Sequence, residues 1–420
     1  MPPYNPAHAE RAALTVRNVM GVVVEERGSP LEVFLVALRL GLTSFGGPIA
    51  HLGYFHEEYV VRRGWVDERR YADLLALCQF LPGPASSQVG IAVGTVRAGY
   101  LGGFVAWLGF TMPSALALIA FALVVDSLEV ADAGWLHGLK LAAVAVVAQA
   151  VWTMARTLAV GRQRATIAIL AAVVALVAPS PATQVGVIVL GAALGWFLFR
   201  DEGREGATAG DKARARGRAA SAWLTLFIVG LVGLPILSAI VDLQAVNVVD
   251  AFYRTGSLVF GGGHVVLPLI EQEVVPTGWL DQDTFIAGYG AAQAVPGPLF
   301  TFAAYLGAAF AVEPNGVPGG LLALAAIFLP SFFLVWGVLP FWDRLRAIAS
   351  VRSALVGVGA AVVGILAAAL YDPVWTSAVF EARDLALVLV AFGLLVAWRL
   401  PPWLVVIVAA AGGEVLVRWG

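Results

Sequence analysis

Two short stretches, "FLPGPASSQVG" at 80–90 and "AVPGPLFTFAA" at 294–304, set Pro-Gly-Pro inside otherwise apolar sequence. Proline lacks an N–H and suits the first turn of a helix, so Pro84 and Pro298, and likewise Pro48, mark new helix starts that follow glycine. A helix start presents unpaired N–H groups and about half a positive charge. Several such starts converging away from water would hold an anion with little help from side chains. The chemistry expected is therefore non-covalent capture of an anion. Thr43, Ser44, Ser86, Ser87 and Gln88 add donors beside the first stretch, and Ser257, Gln293, Thr301 and Tyr305 beside the second.

The two stretches belong to a longer duplication. "RLGLTSFGGPIAHL" from Arg39 answers to "RTGSLVFGGGHVVL" from Arg254, matching Arg39 with Arg254 and Phe45-Gly46-Gly47 with Phe260-Gly261-Gly262. Gly64-Trp65 and Asp67 match Gly278-Trp279 and Asp281, Gln79 matches Gln293, Pro82-Gly83-Pro84 matches Pro296-Gly297-Pro298, and Pro113-Ser114 matches Pro330-Ser331. The offset barely drifts: 254 − 39 = 215, 296 − 82 = 214, 330 − 113 = 217. The copies differ where Pro48 faces Gly263, so the two sides of a shared site need not contribute equally.

The elements that must position these residues are membrane helices. Of 420 residues, 60% are hydrophobic and 13% charged, against about 25% charged in a soluble domain. Runs at 101–125, 139–158, 182–199 and 385–398 are apolar enough to cross or nearly cross a bilayer, which takes roughly 20 residues. Matched loops carry opposite charge. Arg62, Arg63, Arg69 and Arg70 answer to Asp281 and Asp283; Asp126, Glu129 and Asp132 answer to Arg344, Arg346 and Arg352; Arg156, Arg162 and Arg164 answer to Asp372, Glu381 and Asp384. Basic loops favour the cytoplasm, so the repeats read as inverted. The expected fold is an all-α polytopic membrane protein with two inverted-topology repeats. Each repeat has two broken, re-entrant helical hairpins followed by about four spanning helices. The boundaries are an extramembrane arm at 1–30, which does not read as a cleavable signal, repeat 1 at 31–199, a basic cytoplasmic loop at 200–221, a linking transmembrane helix at 222–245 and repeat 2 at 246–420. The first interruption could instead lie within one crossing helix over 34–55.

Several residues have two readings. An arginine inside an apolar helix is a functional candidate by default, so Arg39 and Arg254 either touch the anion or pair with a carboxylate. Gly46, Gly47, Gly261, Gly262 and Gly263 serve anion contact or tight turning; Gly90 with Gly94, and Gly191 with Gly195, read as helix-packing positions. His264 either touches the anion or caps its turn, and His51 could take part in proton coupling. Glu57, Glu58, Glu271 and Glu273 are candidates for proton coupling, although their places near hairpin ends favour solvated interface positions. Pro113 and Pro330 are expected to kink their helices, His137 to lie at the surface and Cys78 to be a small buried hydrophobe. The sequence holds no metal-ligand spacing and no nucleotide-binding glycine loop, so no cofactor is expected.

The paired Phe-Gly-Gly and Pro-Gly-Pro motifs, with the Gly-Trp and Asp between them, resemble those of the chromate ion transporter family in its long, two-repeat form, from residue 31 onward. That resemblance implies a secondary transporter, an antiporter exporting chromate across a bacterial inner membrane on the proton gradient and so conferring chromate resistance. It implies sulfate as a competing anion. It also assigns site roles to Arg39, Phe45, Gly46, Gly47, Pro82, Gly83, Pro84, Arg254, Phe260, Gly261, Gly262, Pro296, Gly297 and Pro298. The partners expected are a chromate or sulfate anion and membrane lipid, with a homodimer left open and no nucleic acid. The residues alone give an anion carrier, with an anion channel as the rival.

Overall fold

In lipid every backbone N–H and C=O must be satisfied within the chain, and helices do this segment by segment. The computed structural model describes residues 28–45, 47–127, 134–200, 217–241, 243–260, 265–342 and 348–419. Most of the expected arm and most of the basic loop lie outside them, as do Gly46, Gly261, Gly262, Gly263 and His264. The described residues form sixteen α-helices. Among the described residues, five helical stretches are long and apolar enough to cross a membrane: Ala85–Val125, which includes a reversal described below, Gly134–Leu158, Ala219–Ile240, Gly316–Phe341 and Ala349–Trp375.

The chain opens with α1 (Pro30–Thr43), started by the Ser29 hydroxyl, which accepts from the Leu31 amide at 3.2 Å. After a break, α2 (Gly47–Phe55) continues as a wider π-type coil to Arg62. The chain doubles back here, because Arg63 at the far end of the second arm lies 3.5 Å from Glu32 in the first turn of α1. Next comes α3 (Glu68–Phe80), capped by Asp67, whose carboxylate accepts from the Arg70 amide at 2.7 Å. The break at 81–84 leads into α4 (Ala85–Ser127). Non-helical torsions at Ala98 and Gly99 (φ +70°) fold α4 into two antiparallel arms, 85–97 and 100–127, which meet through Gly94 and Gly102. The arms of both breaks are about 13 residues, or about 20 Å, short of a full crossing.

Helices α5 (Gly134–Leu158), α6 (Arg162–Val177), α7 (Pro181–Leu198) and α8 (Gly217–Ile240) follow. The pattern then recurs. Helix α9 (Gln244–Leu258) leads to a break, and α10 (Val266–Val274) follows it. Helix α11 (Gln282–Ala292) ends at the second Pro-Gly-Pro, and the chain continues through a 3₁₀ turn, Leu299–Thr301, into α12 (Phe302–Ala309). Helices α13 (Gly316–Val338), α14 (Ala349–Ala369, extended to Trp375), α15 (Ala382–Val396) and α16 (Pro402–Trp419) complete the chain.

The matched residues between the breaks prove architectural. Gly64 and Gly278 both hold positive φ, +58° and +75°. The Trp65 and Trp279 amides donate back to the Tyr59 and Val274 carbonyls. Asp281 caps α11 as Asp67 caps α3.

The halves interlock rather than sit side by side. Helix α5 packs on α15 and α16 of the second half, while α14 packs on α6 and α7 of the first. Gly191 and Gly195 bring α7 against Gly357 of α14, the close packing their spacing suggested. Gly94 also packs as expected, whereas Gly90 meets only the Phe55 ring at 4.0 Å. Helices α4 and α13 run through Pro113 and Pro330 without interruption. Cys78 is buried. His137 is not a free surface residue: its Nε2 lies 2.8 Å from Asp384, which also caps the start of α15.

Candidate functional site

A Pro-Gly-Pro turn has one amide N–H, that of its central glycine. In the first half the Gly83 N–H donates to the Val259 carbonyl at 2.7 Å; in the second the Gly297 N–H donates to the Ser44 carbonyl at 2.9 Å. Ser44 and Val259 are equivalent residues, each the first extended one after α1 or α9. Each half therefore completes the other's break, and the four interruptions meet as two reciprocal pairs. Both glycines are conformationally required, at φ +119° and +95°.

Side chains seal the turns with the same reciprocity. A Cβ on Gly83 would stand 2.8 Å from the Ser331 hydroxyl, and one on Gly297 would stand 2.9 Å from the Ser114 hydroxyl. Ser114 and Ser331 are the matched serines of α4 and α13, and both are buried. Sequence reading noted the pair and assigned its function to the adjoining prolines, whereas the serines touch the turns. Gln88 donates from Nε2 to the Pro82 carbonyl at 2.6 Å. His51 ties three elements together: Nε2 lies 3.2 Å from the Ser44 carbonyl, Nδ1 lies 3.4 Å from the Ser86 hydroxyl, and its ring stands edge-on to Phe110 at 5.3 Å.

Two of the breaks at this junction are followed by helix starts. The first helical bond of α4 runs from the Gln88 N–H to the Pro84 carbonyl at 2.9 Å, leaving the amides of Ala85, Ser86 and Ser87 outside the helix ladder. In the second half the Thr301 N–H closes on the Pro298 carbonyl at 3.0 Å. Around these amides, Ser44 Oγ, Ser87 Oγ, Gln88 Oε1 and Thr111 Oγ1 are buried with no hydrogen-bond partner, as is Gln293 Nε2. An unpaired buried polar atom costs about 1–3 kcal/mol, so hydroxyls left free at a junction of helix starts fit a polar guest. Ser44, Ser86, Ser87, Gln88 and Thr301 are all buried.

Other expected donors are occupied locally. Thr301 Oγ1 donates to the Pro298 carbonyl, Ser257 Oγ to the Tyr253 carbonyl and Thr43 Oγ1 to the Arg39 carbonyl. Gly47, at φ +76°, borders open space. Phe45 packs on Trp403 of α16, and Phe260 packs against the core. Pro82 and Pro296 are half-buried and Pro84 and Pro298 buried.

The paired arginines sit on carboxylates. Arg254 holds Asp250 and Glu273, each at 3.0 Å. Arg39, with its side chain 60% exposed, lies 3.9 Å from Glu58. Glu58 and Glu273 are equivalent (273 − 58 = 215), so the structure supplies the carboxylate partner that the sequence left open. The expectation of solvated glutamates holds only for Glu57, which is exposed. Glu58 is buried because Arg63, at 2.7 Å, and Arg62, at 3.4 Å, offset its charge. Glu273 is covered with Arg254, and Glu271 is buried against a small cavity.

Crossing helices, interlocked halves and a buried junction of broken helices define a multi-pass helical membrane protein. Residues 31–196 and 246–414 match the sequence profile of the family described as Chromate transporter, and the chain belongs to that family; it is a transporter and not an enzyme. It is similar to the "Chromate transport protein" of Pseudomonas aeruginosa, 28% identical over 91% of this chain and 90% of that one. It is likewise similar to the "Probable chromate transport protein" of Synechococcus elongatus, 26% identical over 90% of this chain and 93% of that one. A third relative is the "Chromate transport protein" of Cupriavidus metallidurans, 25% identical over 80% and 81%. No solved structure matches the chain.

Proposed function

We propose that this protein exports chromate across the bacterial inner membrane by alternating access, binding the dianion where the four helix breaks meet. The observation that carries the reading is the reciprocal pair of hydrogen bonds, Gly83 to Val259 and Gly297 to Ser44, surrounded by unpaired buried hydroxyls. A tetrahedral dianion takes several donors at once, and helix-start amides with Ser44, Ser87 and Thr111 offer them without a competing carboxylate. Burial of the junction favours a carrier over a channel, because the guest reaches it only when the halves move.

The repeats, 31–199 and 246–420, are inverted by the odd crossing of the linking helix at 222–245. The opposite charge of matched loops supports this, with Arg62, Arg63 and Arg97 on the cytoplasmic side. The broken arms are then re-entrant, since Glu32, Arg63 and Arg97 meet at one end of the first half. Export is driven by the proton gradient, with Glu58, Glu271 and Glu273 as the candidate carriers of the proton. Arg39 and Arg254 shape the site by holding α1 to α2 and α9 to α10.

Uptake of labelled chromate into inverted vesicles, with and without a pH gradient and in the presence of sulfate, tests the reading. Saturable uptake that rises with an inward-acid gradient is expected. Non-saturable flux indifferent to the gradient would replace the carrier with a channel, and uptake of sulfate in preference to chromate would reassign the substrate.

A further inference from the structure

Residues Gln184, Pro268, Glu271, Gln272, Gln282 and Asp372 line a cavity of about 90 Å³ between α6–α7, α10, α11 and the end of α14. Two carboxylates face it, and no cationic side chain lines it. Glu271 Oε2 accepts from the Gln272 amide at 2.9 Å, and Asp372 Oδ1 accepts from the Thr376 hydroxyl at 3.1 Å, which leaves one oxygen of each carboxylate without a hydrogen bond. Gln184 is 6% exposed. Its Nε2 donates to the Pro268 carbonyl at 3.1 Å, which fixes the amide so that Oε1 is the free atom, buried and unpartnered. Glu271 is buried with the free Gln184 oxygen, beside solvent-exposed Asp372, and a buried carboxylate with no cation among the described lining residues is costly unless a cation arrives from solution.

The duplication shows that an acid at position 372 is not needed for packing. The equivalent cleft lies between α5 and α15, lined by Gln149, Trp152, Thr153, Arg156 and Arg399. Ile365 answers to Gln149, Ala369 to Thr153 and Asp372 to Arg156 at one offset: 365 − 149 = 369 − 153 = 372 − 156 = 216. At this matched wall Asp372 in one copy stands where Arg156 stands in the other, while Glu271 has no counterpart lining the second cleft.

We propose that the Glu271–Asp372 cavity binds a single monovalent cation, held by Glu271, Asp372 and Gln184 and supplied as hydronium or as sodium, and that this cation is the one coupled to transport. The inference rests on the transport reading above and deepens it. One water needs about 10–15 Å³ of such space, so 90 Å³ leaves room for a partly hydrated ion. Helix α10 is the lever. It begins just after the second half's first break, reaches Glu271 within two turns, and packs on α7 and α14. Cation occupancy therefore biases the position of the arm that carries one wall of the anion junction. Besides Asp372, the packed elements carry Asp250, Arg254 and Glu273, which satisfy one another, and Asp281 and Asp283 beside Gln282, of which Asp281 caps α11 and Asp283 pairs with Lys140 at 2.8 Å.

The test uses the full chain in nanodiscs, with melting temperature followed against sodium chloride, against choline chloride as the inert salt, and against pH. The wild type is expected to melt higher on adding sodium or on acidification, and the active arm identifies the cation. Glu271→Gln and Asp372→Asn should lose that response, while Arg156→Gln at the equivalent position retains it. In proteoliposomes Glu271→Gln should lose gradient-driven chromate accumulation by about tenfold yet keep chromate–chromate exchange. A wild type that responds to neither cation, or carboxamide variants that respond as the wild type does, overturns the proposal. Absence of chromate exchange in every form would instead refute the transport reading, and the melting response would still decide the cavity.

Discussion

Substituting Gly83 by alanine asks two things of the turn at once. At φ +119° an L-residue is strained by about 1–3 kcal/mol. The new Cβ would also stand 2.6 Å from Gln88 Nε2 and 2.8 Å from Ser331 Oγ, and overpacking of that kind costs about 1–3 kcal/mol. Together they come to about 2–6 kcal/mol, relieved by moving the turn off the Val259 carbonyl. If the anion site forms only when that hydrogen bond does, even the low figure raises the chromate half-saturation constant about 30-fold. Two other glycines separate the contributions. Gly47→Ala has strain without a clash, since nothing lies within 4 Å of its Cβ and φ is +76°; about 1–2 kcal/mol predicts a five- to thirtyfold effect at most. Gly90→Ala sits in regular helix, with only the Phe55 ring at 4.0 Å, and should transport as wild type. The assay is initial-rate chromate uptake into inverted vesicles, normalised to folded protein by size-exclusion fluorescence. Wild-type half-saturation in Gly83→Ala, or a larger effect from Gly47→Ala, would refute the claim that the reciprocal turn pairs build the site.

Other expected outcomes follow from single contacts. His51→Phe keeps the packing on Phe110 but loses the bonds to Ser44 and Ser86, so flux should fall about tenfold, as expected for about 1.4 kcal/mol, with little change in melting temperature. Arg254→Gln leaves Asp250 and Glu273 uncompensated and should destabilise the protein by about 3 kcal/mol, with Glu273→Gln restoring part of it in the double variant. Arg39→Gln, at an exposed 3.9 Å contact, should cost less than about 1 kcal/mol, and both are read by thermal melting in detergent. Asp67→Ala and Asp281→Ala each remove one equivalent helix cap and should lower stability by about 1 kcal/mol apiece; unequal losses would show that the two caps do different work.

The breaks were legible because proline and glycine announce themselves. Pro82-Gly83-Pro84 and its repeat could be placed, paired and given helix starts from type and spacing alone. What those turns touch was not legible. Val259 is an ordinary apolar residue, and only its carbonyl matters, so its side chain carries no signal of the contact. The arginines' partners were hidden for the opposite reason. Arg39 and Arg254 stand out in apolar helices, but Glu58 and Glu273, which hold them, look like loop-end charges until the shared offset is applied to them too. The reversal at Ala98-Gly99 was legible through Arg97, a lone basic residue between apolar runs that marks a turn. His137 was misread because its partner Asp384 lies 247 positions away.

The exchanged turn partners also bear on how the protein is made. While the ribosome has delivered only the first copy, the Gly83 amide lacks its partner and the Ser44 carbonyl has only His51, because Val259 and Gly297 have not yet been synthesised. Lipid offers nothing in their place. The nascent front half must therefore wait with its central turns wetted or sheltered by the insertion machinery, and the junction locks only after the back half has threaded in. Biogenesis of this molecule is thus a single event that finishes late, and separately translated halves would have to find one another before either could mature.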